Sequence, residues 1–197
     1  LEAIRLATVD TIQGLLDDLS GELSYDLRSC GMLVISGNTT MMHFLLGLDA
    51  FTVFMSPYAT VTTEPGFQPA RDLGITMDGM VYIVPSKSNY VGGDITSGAI
   101  ALGLTRSEEI NVFLDIGTNG EIALWRRGQL FVASTAAGPA FEGAGISCGC
   151  GSIPGAIDRV EVLDGEIACH TIGDMSAVGI CGSGLVDAIA AMLDTET

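Results

Sequence analysis

The chain has 197 residues and a formal net charge of −16, from 24 acidic and 8 basic residues. This balance argues against a nucleic-acid partner, because nucleic-acid-binding surfaces carry clustered lysine and arginine. No apolar stretch reaches the ~20 residues that a membrane span needs, and nothing at Leu1 resembles a secretory signal. The five cysteines form an odd set without a regular disulfide framework, which favours reduced thiols. We therefore expect a cytoplasmic protein that binds neither nucleic acid nor a membrane.

Apolar periodicity predicts alternating helices and strands in the first half of the chain. In chain order the elements are helix 1–20, strand 32–36, helix 39–47, strand 80–84 and helix 94–104. Gly21 is a plausible stop for the first helix. Residues 50–79 contain three prolines among threonines and glycines, and this pattern predicts a long irregular excursion.

The sequence of the second half of the chain predicts more strands than helices. In chain order the elements are strands 110–116, 121–125 and 130–134, a hairpin over 159–172, and helix 179–193. The continuous apolar run at 110–116 is typical of a central strand that is covered on both faces. Tight turns between the first three strands predict an antiparallel meander, and Asp164-Gly165 is a hairpin signal. Residues 135–145 indicate a loop that opens a short helix.

The segment DIGTNGE at 115–121 carries the strongest chemical signal. Its turn combines flexible and hydrogen-bonding residues: Gly117, Thr118, Asn119 and Gly120. Glycine allows close backbone approach to an anion, and successive turn amides can form an anion-binding nest. Asp115, at the strand end, could hold the waters around a magnesium ion, and Glu121 could do the same or orient a water. A plain hairpin turn that needs Asn and Gly explains the same residues.

Two other glycine-containing segments precede helices and are compatible with anion binding. They comprise Gly37, Asn38 and Thr39 in the first half, and Gly182, Ser183 and Gly184 in the second. Ordinary helix capping explains either segment by itself.

The remaining candidate ligands give weak signals. Cys148 and Cys150 lack a second cysteine pair, so a zinc or iron–sulfur site is not favoured. His43 is flanked by Met42 and Phe44 on a predicted helix, which favours a packed or capping role. No Ser–His–Asp or Cys–His arrangement is legible, so the sequence does not support a nucleophilic enzyme.

Taken together, the longer motifs resemble one family, the ATP-dependent reductive activators of corrinoid proteins. The matching segments occur in the family's order: 35–49 (ISGNTTMMHFLLGLD), 91–94 (VGGD), 113–124 (FLDIGTNGEIAL), 134–146 (STAAGPAFEGAGI), 154–157 (PGAI) and 180–188 (ICGSGLVDA). The resemblance implies an α/β fold of the actin-like (ASKHA) ATPase class, with two ribonuclease H-like lobes built of mixed sheets flanked by helices. Residues 1–106 would be the late part of the first lobe, and 107–197 the early part of the second, with the polar stretch 105–109 between them.

The resemblance also implies a function. Such proteins use ATP with Mg²⁺ to support reduction of an inactive Co(II) corrinoid protein to Co(I), which then accepts a methyl group. The expected partners are a corrinoid protein and ATP, with a possible homodimer. Full-length members carry an iron–sulfur region outside the ATPase lobes, so a cluster is expected only outside this chain. ATPase activity is expected only of the full-length protein.

The resemblance implies roles only for those residues of this sequence that match a motif of the family. Residues 115–121 would be the phosphate-contacting hairpin of the second lobe, and 37–40 would belong to the first. Residues 182–188 would lie on a helix between the lobes. Glu142 would face the nucleotide or the attacking water, which makes Asp115 and Glu142 the candidate catalytic pair.

The sequence departs from the family pattern in three places. A first phosphate hairpin and the adenosine-binding segment are expected upstream and downstream of this chain, so the chain alone should bind ATP with Mg²⁺ weakly or not at all. The CGCG motif at 148–151 is not part of the pattern. Two alternatives stay open: a small-metabolite kinase or phosphatase of the same superfamily, and a non-catalytic docking module that uses 50–79.

Overall fold

A computed structural model describes residues 1–163 and 165–195 of the chain. The chain divides into two compact units. The first comprises residues 1–113 and 121–134, and the second comprises residues 114–120 and 135–197.

Six α-helices are present in the described residues: α1 Glu2–Leu23, α2 Thr39–Leu46, α3 Phe51–Phe54, α4 Ala70–Leu73, α5 Gly93–Ala101 and α6 Gly182–Asp194. The same part of the chain contains four short 3-10 helices, at Leu27–Ser29, Leu104–Arg106, Pro139–Glu142 and Ile172–Asp174. Its strands are β1 Met32–Ile35, β2 Gly66–Pro69, β3 Met80–Ile83, β4 Asn111–Ile116, β5 Asn119–Arg126, β6 Gln129–Ala136, β7 Ala156–Leu163, β8 Glu166–Thr171 and β9 Gly179–Ile180.

The first sheet has the strand order β1-β3-β2, with β1 parallel and β2 antiparallel to β3. Its central strand β3 places Val81 and Ile83 fully inside the core, where they join Leu45 of α2. The prediction that 50–79 is irregular is wrong in part, because α3, β2 and α4 lie within it. The prolines do not prevent this. Pro69 ends a sheet-edge strand and precedes α4, positions at which its missing N–H costs little.

Helix α1 runs past its predicted stop. Gly21 is helical, and the helix ends instead at Leu23, followed by Ser24 in a left-handed conformation with φ 51°. A glycine inside a helix costs only about 1 kcal/mol, and the end is closed by the Ser24 amide, which donates to the Gly21 carbonyl, and by the Tyr25 amide, which donates to the Ser20 carbonyl. Of its residues only Val9 is buried, so a single stripe of the helix faces the core.

His43 is a buried structural residue of α2, only 1% exposed. The Val61 amide donates to its Nε2 at 3.1 Å, so the ring proton lies on Nδ1 and is donated to the Thr39 carbonyl at 2.7 Å. The imidazole therefore connects α2 to the segment after α3, which agrees with a packed role.

Replacing His43 with leucine should lower the free energy of unfolding by about 2–4 kcal/mol, because it leaves the Val61 amide and the Thr39 carbonyl without their partners. Met41→Leu, at an exposed position of the same helix, is the control and should change stability by less than about 0.5 kcal/mol. Equal unfolding midpoints in urea for the two variants would contradict the assignment.

The predicted meander is confirmed by the strand order β4-β5-β6 of the second sheet. One face of this sheet packs Ala123, Leu130 and Val132 against Val91 and Ile95. The prediction that β4 is covered on both faces is wrong. Its side chains alternate, so Phe113 packs toward the cluster, while three apolar residues on the opposite face are exposed: Val112, Leu114 and Ile116.

The third sheet has the order β8-β7-β9 and lies in the second unit. Strands β7 and β8 form the predicted antiparallel hairpin, with Leu163 opposite Glu166, while Asp164 of the predicted turn lies outside the described residues. The short strand β9 runs parallel to β7, and α6 packs against β7.

The residues that helix α6 buries are not those of its predicted apolar face. Val186, Ile189 and Met192 of the predicted apolar face are each at least half exposed, and Gly184 is the buried residue. Across the described part of the chain, no helix combines the length and apolar character required to cross a bilayer.

Candidate functional site

The turn after β4 is tighter than the sequence predicts. Only Gly117 and Thr118 lie between β4 and β5, because Asn119 and Gly120 are already part of β5. The Gly117 amide donates to the Asn119 carbonyl at 2.9 Å. Neither Gly117 nor Gly120 has a positive φ, so a left-handed Asn-Gly turn does not explain these glycines.

Close packing explains one of the two glycines, Gly120. A Cβ on Gly120 would lie 3.2 Å from Cγ2 of Thr135 on β6, which is a crowded contact. A Cβ on Gly117 would meet no heavy atom closer than 3.8 Å, an ordinary contact distance, so packing does not require glycine at this position. Asp115, two residues earlier, is exposed. Within residues 1–163 and 165–195 its carboxylate makes no hydrogen bond or ion pair, which fits a group available to a hydrated cation.

The loop that follows β6 is held on this turn by three hydrogen bonds. The amides of Ala137 and Gly138 both donate to the Thr118 carbonyl, at 3.3 and 2.8 Å. The Thr118 hydroxyl donates to Oε1 of Glu142 at 2.6 Å, a short charge-assisted bond. Gly138 and Gly143 bracket the short helix Pro139–Glu142 and both have positive φ, at 86° and 83°. The predicted site residues Thr118 and Glu142 are therefore in direct contact.

The CGCG motif lies beneath this loop and has a packing role. A Cβ on Gly149 would lie 2.1 Å from the Gly143 carbonyl oxygen, so only glycine fits without movement of the backbone. On either side of it, the Cys150 amide donates to the Ile180 carbonyl at 2.9 Å, and the Ile180 amide donates to the Cys148 carbonyl at 2.8 Å. The motif thus connects the Glu142 loop to the strand that leads into α6.

The start of α6 is closely packed. A Cβ on Gly184 would lie 2.2 Å from the Ile157 carbonyl oxygen of β7, so this glycine allows the helix to approach the sheet. Cys181 precedes the helix, and its buried sulfur lies 3.4 Å from the Ser183 hydroxyl. Burial acts to raise the pKa of the Cys181 thiol, but hydrogen bonds from Ser183, the Gly184 amide and Ser152 lower the pKa below its ordinary value.

The predicted site residues of the first unit have structural partners. Asn38 accepts a hydrogen bond from the Met41 amide and caps α2, while the hydroxyl of the buried Thr39 donates to the Ser88 carbonyl. Gly37 accepts from the Gly93 amide at 2.9 Å. Glu121 belongs to the same unit and accepts from the Ser134 hydroxyl at 3.1 Å. Capping and packing therefore explain Asn38 and Thr39, and their role in nucleotide binding stays a prediction.

Other titratable groups lie on the third sheet. Nδ1 of His170 lies 2.7 Å from Asp158, and Nε2 lies 3.5 Å from Asp174. The hydrogen bond from His170 lowers the pKa of the Asp158 carboxyl. In the part of the chain that the structure describes, no three cysteine, histidine or carboxylate side chains are arranged to hold a metal ion.

Sequence reasoning missed the backbone contacts that assemble the site. The two amides on the Thr118 carbonyl and the junction of Gly143 with Gly149 involve main-chain atoms, which leave no residue-type signature. The feature of the sequence that could have indicated these contacts is the recurrence of glycine in this segment. Gly138, Gly143 and Gly149 all lie where a side chain would be strained or would collide.

Comparison with known proteins identifies the family and the fold. Residues 109–197 match the family described as the C-terminal domain of RACo, the ASKHA domain, and residues 1–107 match the RACo middle region. A solved structure described as a reductive activator for a corrinoid, iron–sulfur protein superposes with a TM-score of 0.83 and 41% identity, covering 95% of this chain and 31% of that one.

Two curated proteins are also similar. The corrinoid activation enzyme RamQ of Eubacterium limosum is 36% identical over 192 residues, covering 96% of this chain and 32% of that protein. The [Co(II) methylated amine-specific corrinoid protein] reductase of Methanosarcina barkeri is 32% identical over 135 residues, covering 57% of this chain and 25% of that protein. The chain spans about a third or less of the length of each relative.

The fold and these matches define the class as an α/β protein of the actin-like ATPase type, which confirms the predicted fold class. The chain belongs to the RACo family. The resemblance to reductive activators of corrinoid proteins is therefore confirmed.

Proposed function

We propose that this chain is part of an ATP-dependent activator that supports the reduction of a Co(II) corrinoid protein to Co(I). The observation that carries the proposal is the contact between Thr118 and Glu142, which joins the two most specific motifs of the sequence into one polar site. The names of the relatives, which describe corrinoid activation or reduction, support the same function.

Each residue of the second unit has a distinct proposed role. Gly117 and Thr118 form the turn that would receive a phosphate, and Gly117 has no side chain to obstruct its approach. Asp115 would hold waters of a Mg²⁺ ion, which would supply charge neutralisation for the phosphates. Glu142 fixes the Thr118 hydroxyl and orients the water that attacks the terminal phosphate. Gly182, Ser183 and Gly184 add the start of α6 to the phosphate site.

The proposal extends to the whole protein. Residues 1–106 form the late part of the first ribonuclease H-like lobe and 107–197 the early part of the second. ATP is hydrolysed to ADP and phosphate, and a separate low-potential donor, through an iron–sulfur cluster outside this chain, supplies the one electron that converts Co(II) to Co(I). The protein works in the cytoplasm as a homodimer, and its partner is a corrinoid protein.

The test is an anaerobic assay of the whole protein with purified Co(II) corrinoid protein and a low-potential one-electron donor. Co(I), followed by its visible absorption, should accumulate with ATP and Mg²⁺ but not with ADP. Equal rates with and without ATP would refute the proposal. ATP-dependent phosphorylation of a small metabolite without Co(I) formation would favour the kinase alternative.

A further inference from the structure

The segment around α3 exposes several aromatic side chains and a methionine. Phe51, Phe54, Met55 and Tyr58 are 65%, 56%, 51% and 58% exposed, and Tyr90 beside them is 51% exposed. Phe51 and Phe54 are one helical turn apart, so they share a face of α3. These five side chains are called the aromatic patch. Exposed apolar residues that occur singly are ordinary, but a run of them on one segment marks an interaction surface.

The backbone that carries the aromatic patch is fixed. The Thr52 hydroxyl donates to the Ala59 carbonyl at 2.6 Å, and the Ala59 amide donates back to the Thr52 carbonyl at 2.9 Å. The Tyr90 hydroxyl donates to the carbonyl of the fully buried Val53 at 3.0 Å, and Asn89 donates to the Tyr58 carbonyl. A backbone held in this way does not have to be ordered on binding, which lowers the entropy lost on association.

The size of the aromatic patch favours a transient partner. Side chains of this size present about 150–250 Å² each, so five that are half exposed offer on the order of 500 Å². A stable complex buries about 800 Å² per partner, and permanent dimers bury more. Short-lived redox complexes bury less than about 1,200 Å² in total, which is the range that this surface can supply.

The charges around the aromatic patch indicate the chemistry of that partner. No charged residue occurs between Asp49 and Glu64, and Lys87 lies three residues before Tyr90; these three flanking charges, two acidic and one basic, are all exposed. The chain as a whole carries a net charge of −16. A complementary surface would have an apolar centre with a basic rim. An anionic membrane surface would be repelled by the same charges.

We propose that the aromatic patch docks the corrinoid protein during activation, through an apolar surface of that protein surrounded by basic residues. This proposal rests on the proposed function, which supplies a protein partner that must bind, receive an electron and leave. It assigns the recognition step to the first unit, within the region that matches the RACo middle region.

The test uses the whole protein carrying Phe54→Gln with Tyr58→Gln, and Leu15→Gln with Leu19→Gln as the matched control, since the control side chains are exposed on α1. The Kd for purified Co(II) corrinoid protein, by calorimetry, should rise roughly 30-fold or more in the patch variant, as expected for two hot-spot residues. It should stay within about twofold in the control. ATP hydrolysis without the partner should be unchanged in both.

Two further variants test the docking proposal if the variant with Phe54→Gln and Tyr58→Gln folds poorly. Phe51→Gln alone should weaken binding about tenfold. Asp49→Asn with Glu64→Gln should lower the association rate constant with little change in the dissociation rate constant.

Unchanged Kd in the patch variants, with the wild type still forming Co(I), would overturn the docking proposal and leave the proposed function intact. A wild type that neither binds nor activates any corrinoid protein would overturn both. Conversion of a dimeric wild type to monomers by the patch substitutions would overturn the proposal in favour of an interface between copies of this chain.

Discussion

Glu142→Gln is expected to lower the kcat of ATP hydrolysis by the whole protein about 100-fold, because the amide is a poor base for the attacking water and a weaker acceptor for the Thr118 hydroxyl. Steady-state phosphate release gives the measurement. The matched control is Glu166→Gln, an exposed carboxylate on β8 of the same unit, which should keep at least half of the activity.

A double-variant cycle tests whether Thr118 and Glu142 act together in catalysis. Thr118→Val keeps the shape of the side chain and should lower kcat about tenfold by removing the donor to Glu142. If the two residues act as one unit, the double variant should be no slower than Glu142→Gln alone. Independent losses that multiply in the double variant would show that the contact has no catalytic consequence.

Gly149→Ala is expected to destabilise the second unit by about 2–4 kcal/mol, because the new Cβ would be placed 2.1 Å from the Gly143 carbonyl oxygen and backbone must move. The same movement should disturb the loop that holds Glu142, so ATP hydrolysis should fall as well. Denaturant unfolding and phosphate release are the two measurements.

The control for this prediction is two residues away in the same motif. A Cβ on Gly151 would meet no heavy atom within 4 Å, and its φ is not positive, so Gly151→Ala should be neutral within about 0.5 kcal/mol. Similar losses in both alanine variants would mean that the motif is sensitive for a reason other than the Gly143 contact.

The sequence predicts the elements of this fold better than their environment. Apolar periodicity places α2 and β3, and the hairpin of β7 and β8, within a few residues of their observed bounds. It also places β4, but the predicted coverage of both faces of this strand is wrong, because one face is exposed. Residue type reports that Val112 and Leu114 favour burial but not whether another element covers them, since that depends on tertiary arrangement.

The candidate site was predictable in its side chains but not in its assembly. Asp115, Thr118 and Glu142 stand out because their motifs are specific, and the structure joins Thr118 to Glu142. The role of Gly149 was not predictable, because a glycine required by close backbone approach cannot be distinguished in sequence from one required by a turn.

The paired hydrogen bonds on the Thr118 carbonyl have a practical consequence for experiments. The amide protons of Ala137 and Gly138 share this one acceptor, so the rate at which each exchanges with deuterium depends on whether the loop stays seated on the turn. Mass spectrometry of a peptide spanning 136–142 would therefore follow the seating of the loop directly. The readout requires no probe attached near the phosphate, and no corrinoid protein in the sample.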